Sequence, residues 1–419
     1  MKPWQIVLTI TAVSFGLTMI EIPAGTWLST AALSLACGVA ALSLMAAAAI
    51  LAGRWGWPET ALGGLDRVYA AHKWLAVYAL ALASVHFLFK AGDPSWAAES
   101  IMALPQGWTR LARQASFVAL MSIVILALNR NIPYSTWRWW HRLSGPLFLI
   151  VIVHWLSIKS PLDLVSPAGL WLAGLSALGI AAAAYKLLLY PFLARHADYR
   201  VVKVLRGPSA AEIEFEPVKR GIDFHAGHFG FLRMKVDGLR EPHPFTIAAA
   251  PAPDGRITFV IRALGDYTAK LIADVEPGME ADVYAPYGRF ERKPDCRREI
   301  WIGGGVGISP FIAWMRDEQK GGFANVSLFY FFTPGRVFPD IDVLRKMAEE
   351  RGIEFVPVSG GPGSRDFIDR FGEIVRDTAP GTPDIALCGP AGLLESVRGL
   401  ARENGLDPAC IRHELFQFR

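Results

Sequence analysis

The first 191 residues contain six runs apolar enough to cross a bilayer, at about residues 4–20, 27–52, 68–90, 111–128, 137–158 and 168–191. A spanning helix needs about 20 mostly apolar residues, because the hydrocarbon core offers an open backbone no hydrogen-bond partner. Six such runs predict a membrane α-helical bundle of about six transmembrane helices. The first run follows Met1-Lys2 as a signal peptide would, but EIPAGTW after it is a poor cleavage site, so it reads as a helix.

From Arg195 onward charged residues appear at the density of a soluble protein, so the net charge of +4 averages two unlike halves. No basic cluster interleaved with aromatics occurs, and nucleic-acid binding is unsupported. Arg54, Arg67, Arg130, Arg138, Arg142, Arg195 and Arg200 fall in short loops on one side of a six-helix bundle. Lys90, Arg110, Arg113 and Lys159, fewer and more spread, fall on the other. The positive-inside bias then places the C-terminal half in the cytoplasm.

That half reads as two domains, giving the divisions 1–194, 195–293 and 294–419. In the first, short alternating runs such as AEIEFEPV and GRITFVIRAL are broken by Gly, Pro and Asp, the pattern of an antiparallel β-barrel. In the second, strands such as REIWI, VSLFYFF and DIAL alternate with helical patterns, predicting a parallel sheet covered on both faces.

The four cysteines stand singly, with no CxxC or CxxCH pair, so a zinc knuckle, a covalent haem attachment and a disulfide framework are excluded. Four histidines lie in the membrane half, where an ionisable residue is costly and usually marks a function. His72 and His86 are 14 apart, about 40° out of phase and about 21 Å apart along one helix. His141 and His154 are 13 apart, a similar rise but about 140° out of phase, so a distortion is required and Gly145-Pro146 is where it is expected. Two helices each with an upper and a lower imidazole can ligate two stacked haems. The plain alternative, that each ring only bonds a neighbouring helix, explains one histidine better than two matched pairs. A metal-ion transporter is a further alternative, disfavoured because 68–90 and 138–158 contain no Asp or Glu.

These histidine spacings occur together with WRWWHR (137–142), HPFTI (243–247), GDYT (265–268), GGGVGISPF (303–311), CGP (388–390) and HELFQFR (413–419). In that order they resemble, over nearly the whole chain, the flavocytochromes of the NADPH oxidase and ferric reductase superfamily, and most of all the bacterial NADPH oxidases. The resemblance implies a ferredoxin-NADP reductase-like module after the bundle, a bacterial inner-membrane location, and FAD, two b haems and NADPH as cofactors. It implies haem ligation by His72 with His141 and by His86 with His154.

It further implies that His243, Pro244, Phe245 and Thr246 contact the flavin ring and ribityl chain, with the Thr246 hydroxyl near the reactive edge. Gly265, Asp266, Tyr267 and Thr268, with Arg262 upstream, would meet the pyrophosphate. HPFT alone reads more readily as an ordinary barrel strand, and GDYT about twenty residues later shifts that balance toward the flavin contact. Gly303, Gly304, Gly305, Gly307 and Pro310 form a strand, glycine turn and helix start suited to a nucleotide phosphate. Cys388, Gly389 and Pro390 would lie beside the nicotinamide, although Cys388 by itself reads as strand packing. Phe416 would cover the flavin face, or anchor the last strand. NADPH-preferring relatives place Ser and Arg after the second strand of this domain, where an ungapped comparison puts Phe332 and Pro334. Thr333 and Arg336 serve after a small shift, and NADH is an alternative donor.

The implied activity is electron transfer from NAD(P)H to an acceptor on the outer face. Dioxygen reduced to superoxide is preferred, and a ferric chelate is the alternative. Asp93, Glu99 and Asp163 are too few for a dedicated iron site. Lys90 stabilises an anion or snorkels. The Trp and Arg of WRWWHR are interfacial anchors, with Arg138 or Arg142 available to haem propionates. No EF-hand or long regulatory insertion occurs, so constitutive activity without an obligate protein partner is the simplest expectation.

Overall fold

A computed structural model describes residues 2–129, 131–294, 296–318, 321–378 and 381–414. One compact unit ends at Ala194 and a second begins at Arg195.

The first unit is helical: α1 (Pro3–Ile20), α2 (Thr30–Ala52), the short α3 (Gly56–Leu62), α4 (Leu65–Leu88), α5 (Gln106–Leu128), α6 (Tyr134–His141), α7 (Ser144–Ser157) and α8 (Pro167–Ala184). A π-helical turn, Tyr185–Leu189, carries α8 into α9 (Tyr190–Leu193). Among the described residues five helices are long and apolar enough to span a membrane: α1, α2, α4, α5 and the continuous run Pro167–Leu193. The expected run at 137–158 is the exception, being divided into α6 and α7. Pro146 has no N–H and its ring excludes the carbonyl four residues earlier, that of Arg142. The helix therefore stops at His141 and restarts at Ser144, and Leu143 N–H donates instead to Trp140 O at 3.0 Å.

α2 is the central helix, with 67% of its apolar window buried against 17–22% for the others. Its sequence, TAALSLACGVAALSLMAAAAILA, is rich in small residues that let neighbouring backbones approach. Polar contacts add to this: Trp171 Nε1 donates to Ser43 Oγ (3.0 Å) and Ser14 Oγ (3.2 Å), joining α8, α2 and α1. Ser29 and Ser166 accept from the first turns of α2 and α8 and satisfy otherwise open amides.

The second unit opens with six antiparallel strands, β1 (His196–Arg206), β2 (Ala210–Pro217), β3 (Phe229–Met234), β4 (His243–Thr246), β5 (Ile257–Arg262) and β6 (Glu280–Tyr287). Their order is β4-β3-β6-β1-β2-β5, and a bridge from Ile247 to Phe259 brings the two edges together into a nearly closed barrel. Alternation sets the inward face: Ile213 and Phe215 of β2 are fully buried while Glu212 and Glu214 face outward. Helix α10 (Asp266–Asp274) follows β5.

Five parallel strands follow, β7 (Glu299–Gly304), β8 (Val326–Phe331), β9 (Glu354–Val358), β10 (Asp384–Cys388) and β11 (Ile411–Glu414), in the order β11-β10-β7-β8-β9. Strand β8 is buried throughout, as a strand covered on both faces must be. Helices α11 (Ser309–Arg316) and α12 (Ile341–Glu350) pack on one face through Phe311, Trp314 and Leu344. Helices α13 (Arg365–Thr378) and α14 (Ala391–Glu403) pack on the other through Phe367, Phe371 and Val397. The expected boundary at residue 293 falls between β6 and β7. The two sheets are tied by Trp314 Nε1 donating to Ala226 O (3.1 Å) and by Arg316 bonding Ala248 O (2.9 Å) and Glu212 (3.1 Å).

A buried ion pair anchors the link into β7. Arg292 donates to both oxygens of Glu299 at 2.9 and 3.1 Å, and Trp301 Nε1 donates to the same carboxylate at 3.0 Å. Removing one partner strands a charge away from water. Glu299→Ala is expected to lower the stability of the C-terminal unit by about 3–5 kcal/mol, read as a fall in its thermal unfolding midpoint.

Candidate electron-transfer site

In the membrane unit α4 carries His72 and His86 on one face, and both rings are held from α2. His72 Nδ1 lies 2.8 Å from Ala48 O, and His86 Nδ1 lies 2.8 Å from Ser34 O. A carbonyl only accepts, so each Nδ1 carries the proton and donates, leaving Nε2 as a lone pair. Gly38 of α2 makes room for the second ring: a Cβ there would lie 2.8 Å from His86 Nδ1.

The break between α6 and α7 brings the other two histidines into position. His141 ends α6 and faces His72 with ring centroids 5.9 Å apart; His154 on α7 faces His86 at 6.3 Å. A metal bound between two imidazoles at about 2 Å from each separates the rings by about 6 Å, so both pairs fit one ion apiece. His141 Nδ1 and His154 Nδ1 are buried without a hydrogen-bond partner among the described residues. Buried polar atoms are rarely left this way, so the protein's own described residues do not satisfy these two rings. The residues thus fit two b haems. Lys90 lies beyond the end of α4 at Leu88, so the helical i,i+4 relation to His86 does not hold there.

In the barrel, Thr246 pairs with Phe229 across β4 and β3, and its Oγ1 is buried with no partner among the described residues. A hydroxyl so placed lacks the bond that burial demands, which a ring nitrogen of FAD would supply. Phe245 is half-buried against the barrel core, Pro244 lies between, and His243 stacks on Tyr267 with centroids 3.7 Å apart. Tyr267 is turned inward, its hydroxyl donating to Leu239 O at 3.2 Å, so within GDYT it anchors the barrel. Gly265 caps α10, placing GDYT at a helix N-terminus suited to phosphate. Thr268 Oγ1 already accepts from Leu264 N (2.9 Å) and Gly265 N (3.1 Å), so those two amides are engaged. Arg262 at the end of β5 reaches the glycine loop, its Nη1 3.1 Å from where a Gly305 Cβ would stand.

The nucleotide motifs interlock. Gly303 and Gly304 end β7, Gly305 adopts φ +57°, and a short turn leads into α11 with Pro310 in its first turn. Cys388 ends β10 in register with Gly303. A Cβ on Gly307 would lie 2.2 Å from Cys388 O, and one on Gly304 would lie 2.9 Å from Pro390 Cδ and 3.5 Å from Gly389 Cα. Strands β7 and β10 are neighbours from which the chain order departs in opposite directions, the switch point where open α/β sheets bind ligands. Arg336 is exposed in a turn after β8, its N–H donating to Thr333 O at 3.0 Å. Phe416 lies outside the described residues.

Glu414 was not legible as a site residue. It is buried and in register with Cys388, and its carboxylate adds to burial in holding the Cys388 thiol well above the ordinary thiol range. HELFQFR draws attention to its aromatics, whereas only the strand register reveals the glutamate.

Residues 37–152 match the family described as ferric reductase like transmembrane component. Among curated proteins, the toluate 1,2-dioxygenase electron transfer component of Pseudomonas putida is 24% identical over 44% of this chain and 57% of its own length. The reductase component of propane 2-monooxygenase from Mycolicibacterium goodii is 23% identical over 49% of this chain and 62% of its own length. NADPH oxidase 1 of Mus musculus is 27% identical over 32% of this chain and 24% of its own length. The chain thus spans less than two thirds of each of these relatives. Among solved structures, flavohemoglobin from Malassezia yamatoensis has TM-score 0.47 and 18% identity, covering 92% of this chain and 99% of its own. Amycolatopsis cytochrome P450 reductase GcoB has TM-score 0.45 and 22% identity, covering 53% of this chain and 70% of its own. Residues 37–152 thus resemble a ferric reductase like transmembrane component, and the C-terminal unit is similar in sequence to electron transfer and reductase components. The similarity to the NADPH oxidase and ferric reductase superfamily lies in residues 37–152 and in the match to NADPH oxidase 1.

Two outcomes follow from this packing. Gly307→Ala forces a methyl group into Cys388 O and is expected to raise KM for NAD(P)H at least about tenfold with flavin content unchanged, measured by steady-state kinetics. The thiolate is the reactive form of cysteine, so the raised pKa of Cys388 keeps it protonated and unreactive at pH 8. Peptide mapping after iodoacetamide should show it modified more slowly than the half-buried Cys296 and Cys410 in the native chain.

Proposed function

We propose that the chain takes electrons from NAD(P)H on the cytoplasmic side of a bacterial inner membrane and delivers them to dioxygen at the outer face, releasing superoxide. The observation that carries the proposal is the two facing imidazole pairs, with ring centroids 5.9 and 6.3 Å apart. His72 and His141 would hold one b haem, and His86 and His154 the other. Pro244, Phe245 and Thr246 would face the flavin ring of FAD, with Arg262, Gly265, Asp266 and Thr268 toward its pyrophosphate and His243 and Tyr267 supporting that wall. Gly303, Gly304, Gly305, Gly307, Pro310, Gly389 and Pro390 would hold NAD(P)H, and the exposed Arg336 guanidinium suits the 2′-phosphate of NADPH. Together the bound groups convert a two-electron hydride donor into single-electron transfer.

The chain's own residues shape this process. Carbonyls of Ala48 and Ser34 fix which nitrogen of His72 and His86 is available. Each pair would give both of its imidazoles to one metal. Thr246 offers a hydroxyl to the flavin edge, and Cys388 contributes a protonated thiol at the switch point. Basic residues in short loops, among them Arg54, Arg67, Arg138 and Arg142, support a cytoplasmic C-terminal unit.

A second acceptor is a ferric chelate, favoured by the ferric reductase-like match of residues 37–152. The test uses the full chain purified in detergent with its haem and FAD. Two haems per chain are expected, with His72→Ala or His86→Ala lowering the content; NADPH should drive dye reduction that superoxide dismutase abolishes. Rapid ferric-chelate reduction without superoxide in air would select the second acceptor. One haem per chain, unaltered by any of the four histidine substitutions, would overturn both.

A further inference from the structure

Outside the redox residues, one group of potential metal ligands occurs among the described residues: His225, His228 and Glu291. The two histidines flank Gly227 in the loop before β3, and Glu291 follows β6. Gly227 adopts φ +99°, and a Cβ there would lie 1.9 Å from Phe290 O, so the loop and the segment after β6 approach each other at a point only glycine permits. That contact delivers the imidazoles to the carboxylate. His225 Nδ1 lies 3.1 Å from Glu291 Oε2, and His228 Nε2 lies 3.1 Å from Glu291 Oε1. The rings are parallel, with centroids 5.3 Å apart and 6° between planes.

We propose that His225, His228 and Glu291 form a three-ligand site for a divalent transition-metal ion of the zinc type, which staples the loop before β3 to the segment after β6. Two imidazoles and a carboxylate suit zinc and its neighbours, whereas magnesium and calcium require oxygen ligands. Around a tetrahedral ion with bonds of about 2 Å, neighbouring ligand atoms stand about 3.3 Å apart. The 3.1 Å separations are already close to that arrangement. A cleft of about 330 Å³, lined by Arg195, Asp223, His225, His228, Pro251 and Pro286, opens onto the cluster. It provides an entry path and room for water or the Asp223 carboxylate as a fourth ligand.

Two features oppose binding and set its strength. Without an ion, the carboxylate is satisfied as a shared acceptor, and His225 N–H donates to His228 Nδ1 at 3.1 Å. His228 therefore carries its proton on Nε2, and the ion must displace that proton to Nδ1 or to solvent, breaking the backbone bond. Arg195 lines the cleft and Arg289 acts on His228, so two cations oppose a third. Both effects weaken a three-ligand site without removing its ligands. Phe229, next to His228, pairs with Thr246, so the staple would fasten the strand pair that carries the Thr246 hydroxyl.

The test uses untagged full-length protein with its haem and FAD intact, treated with EDTA and dialysed against zinc chloride, with bound zinc measured by elemental mass spectrometry. One zinc per chain is expected, with affinity at least about tenfold weaker in His225→Ala and Glu291→Gln and flavin and haem contents unchanged. His225 is largely exposed, so its alanine variant folds as the parent does. Zinc should also raise the thermal midpoint of flavin release in the parent and not in His225→Ala. Zinc no greater than in a variant carrying His225→Ala, His228→Ala and Glu291→Gln together, or retained equally by both single variants, would overturn the proposal and leave the three residues a hydrogen-bonded cluster. Equal retention of magnesium would overturn it as well.

Discussion

A buried imidazole in an apolar helical bundle calls for partners at its ring nitrogens, and that demand organises the contact between α2 and α4. His72 and His86 meet half of it through Ala48 O and Ser34 O, carbonyls that already accept within α2 and lend a second lone pair. α2 must therefore pass close to α4, and its alanines, with Gly38 against the His86 ring, permit that approach. The rings of His141 and His154 face those two with centroids 5.9 and 6.3 Å away. Hydrogen bonding, helix packing and ligand preorganisation are here one constraint: a bulkier α2 would move the carbonyls, and the carbonyls aim the rings.

The opposing side reaches the same end by a different route. An unbroken helix would leave His141 and His154 about 140° apart, with one ring turned away from α4. Pro146 denies the backbone bond to Arg142 and divides the span, so His141 ends one segment while His154 belongs to the next. The divided span loses intrahelical bonds, part of which Leu143 recovers by donating to Trp140 O.

Much of this architecture was legible in the chain. Runs of apolar residues located α1, α2, α4, α5 and α8, because lipid leaves the backbone few alternatives. Alternation and turn residues located the barrel strands, and strand-glycine-helix order located β7 and α11. The break was expected at Gly145-Pro146 and occurs at Arg142-Leu143, since proline acts on the carbonyl four residues before it. Contacts distant in sequence were not legible. Nothing local announces that Ala48 O bonds His72, that Gly303 sits opposite Cys388, or that Glu291 reaches His225 and His228. Nor does anything local announce that the ring of Tyr267, within GDYT, stacks on His243.

The reductase unit solves a problem of access where the membrane unit solves one of ligation. A dinucleotide must bring its phosphates close to a backbone, and side chains at the end of β7 would prevent it. Glycine at 304, 305 and 307 removes them, but three glycines within four positions cost conformational entropy on folding. The structure offsets this by locking the loop against a second one: Gly307 rests on Cys388 O, and Gly304 on Pro390 and Gly389. The loop is thereby open toward a ligand and closed toward the protein. The same contact buries Cys388 beside Glu414, where a thiolate is disfavoured by both desolvation and charge. A cysteine held in its neutral form is chemically quiet, since the thiolate is the reactive species.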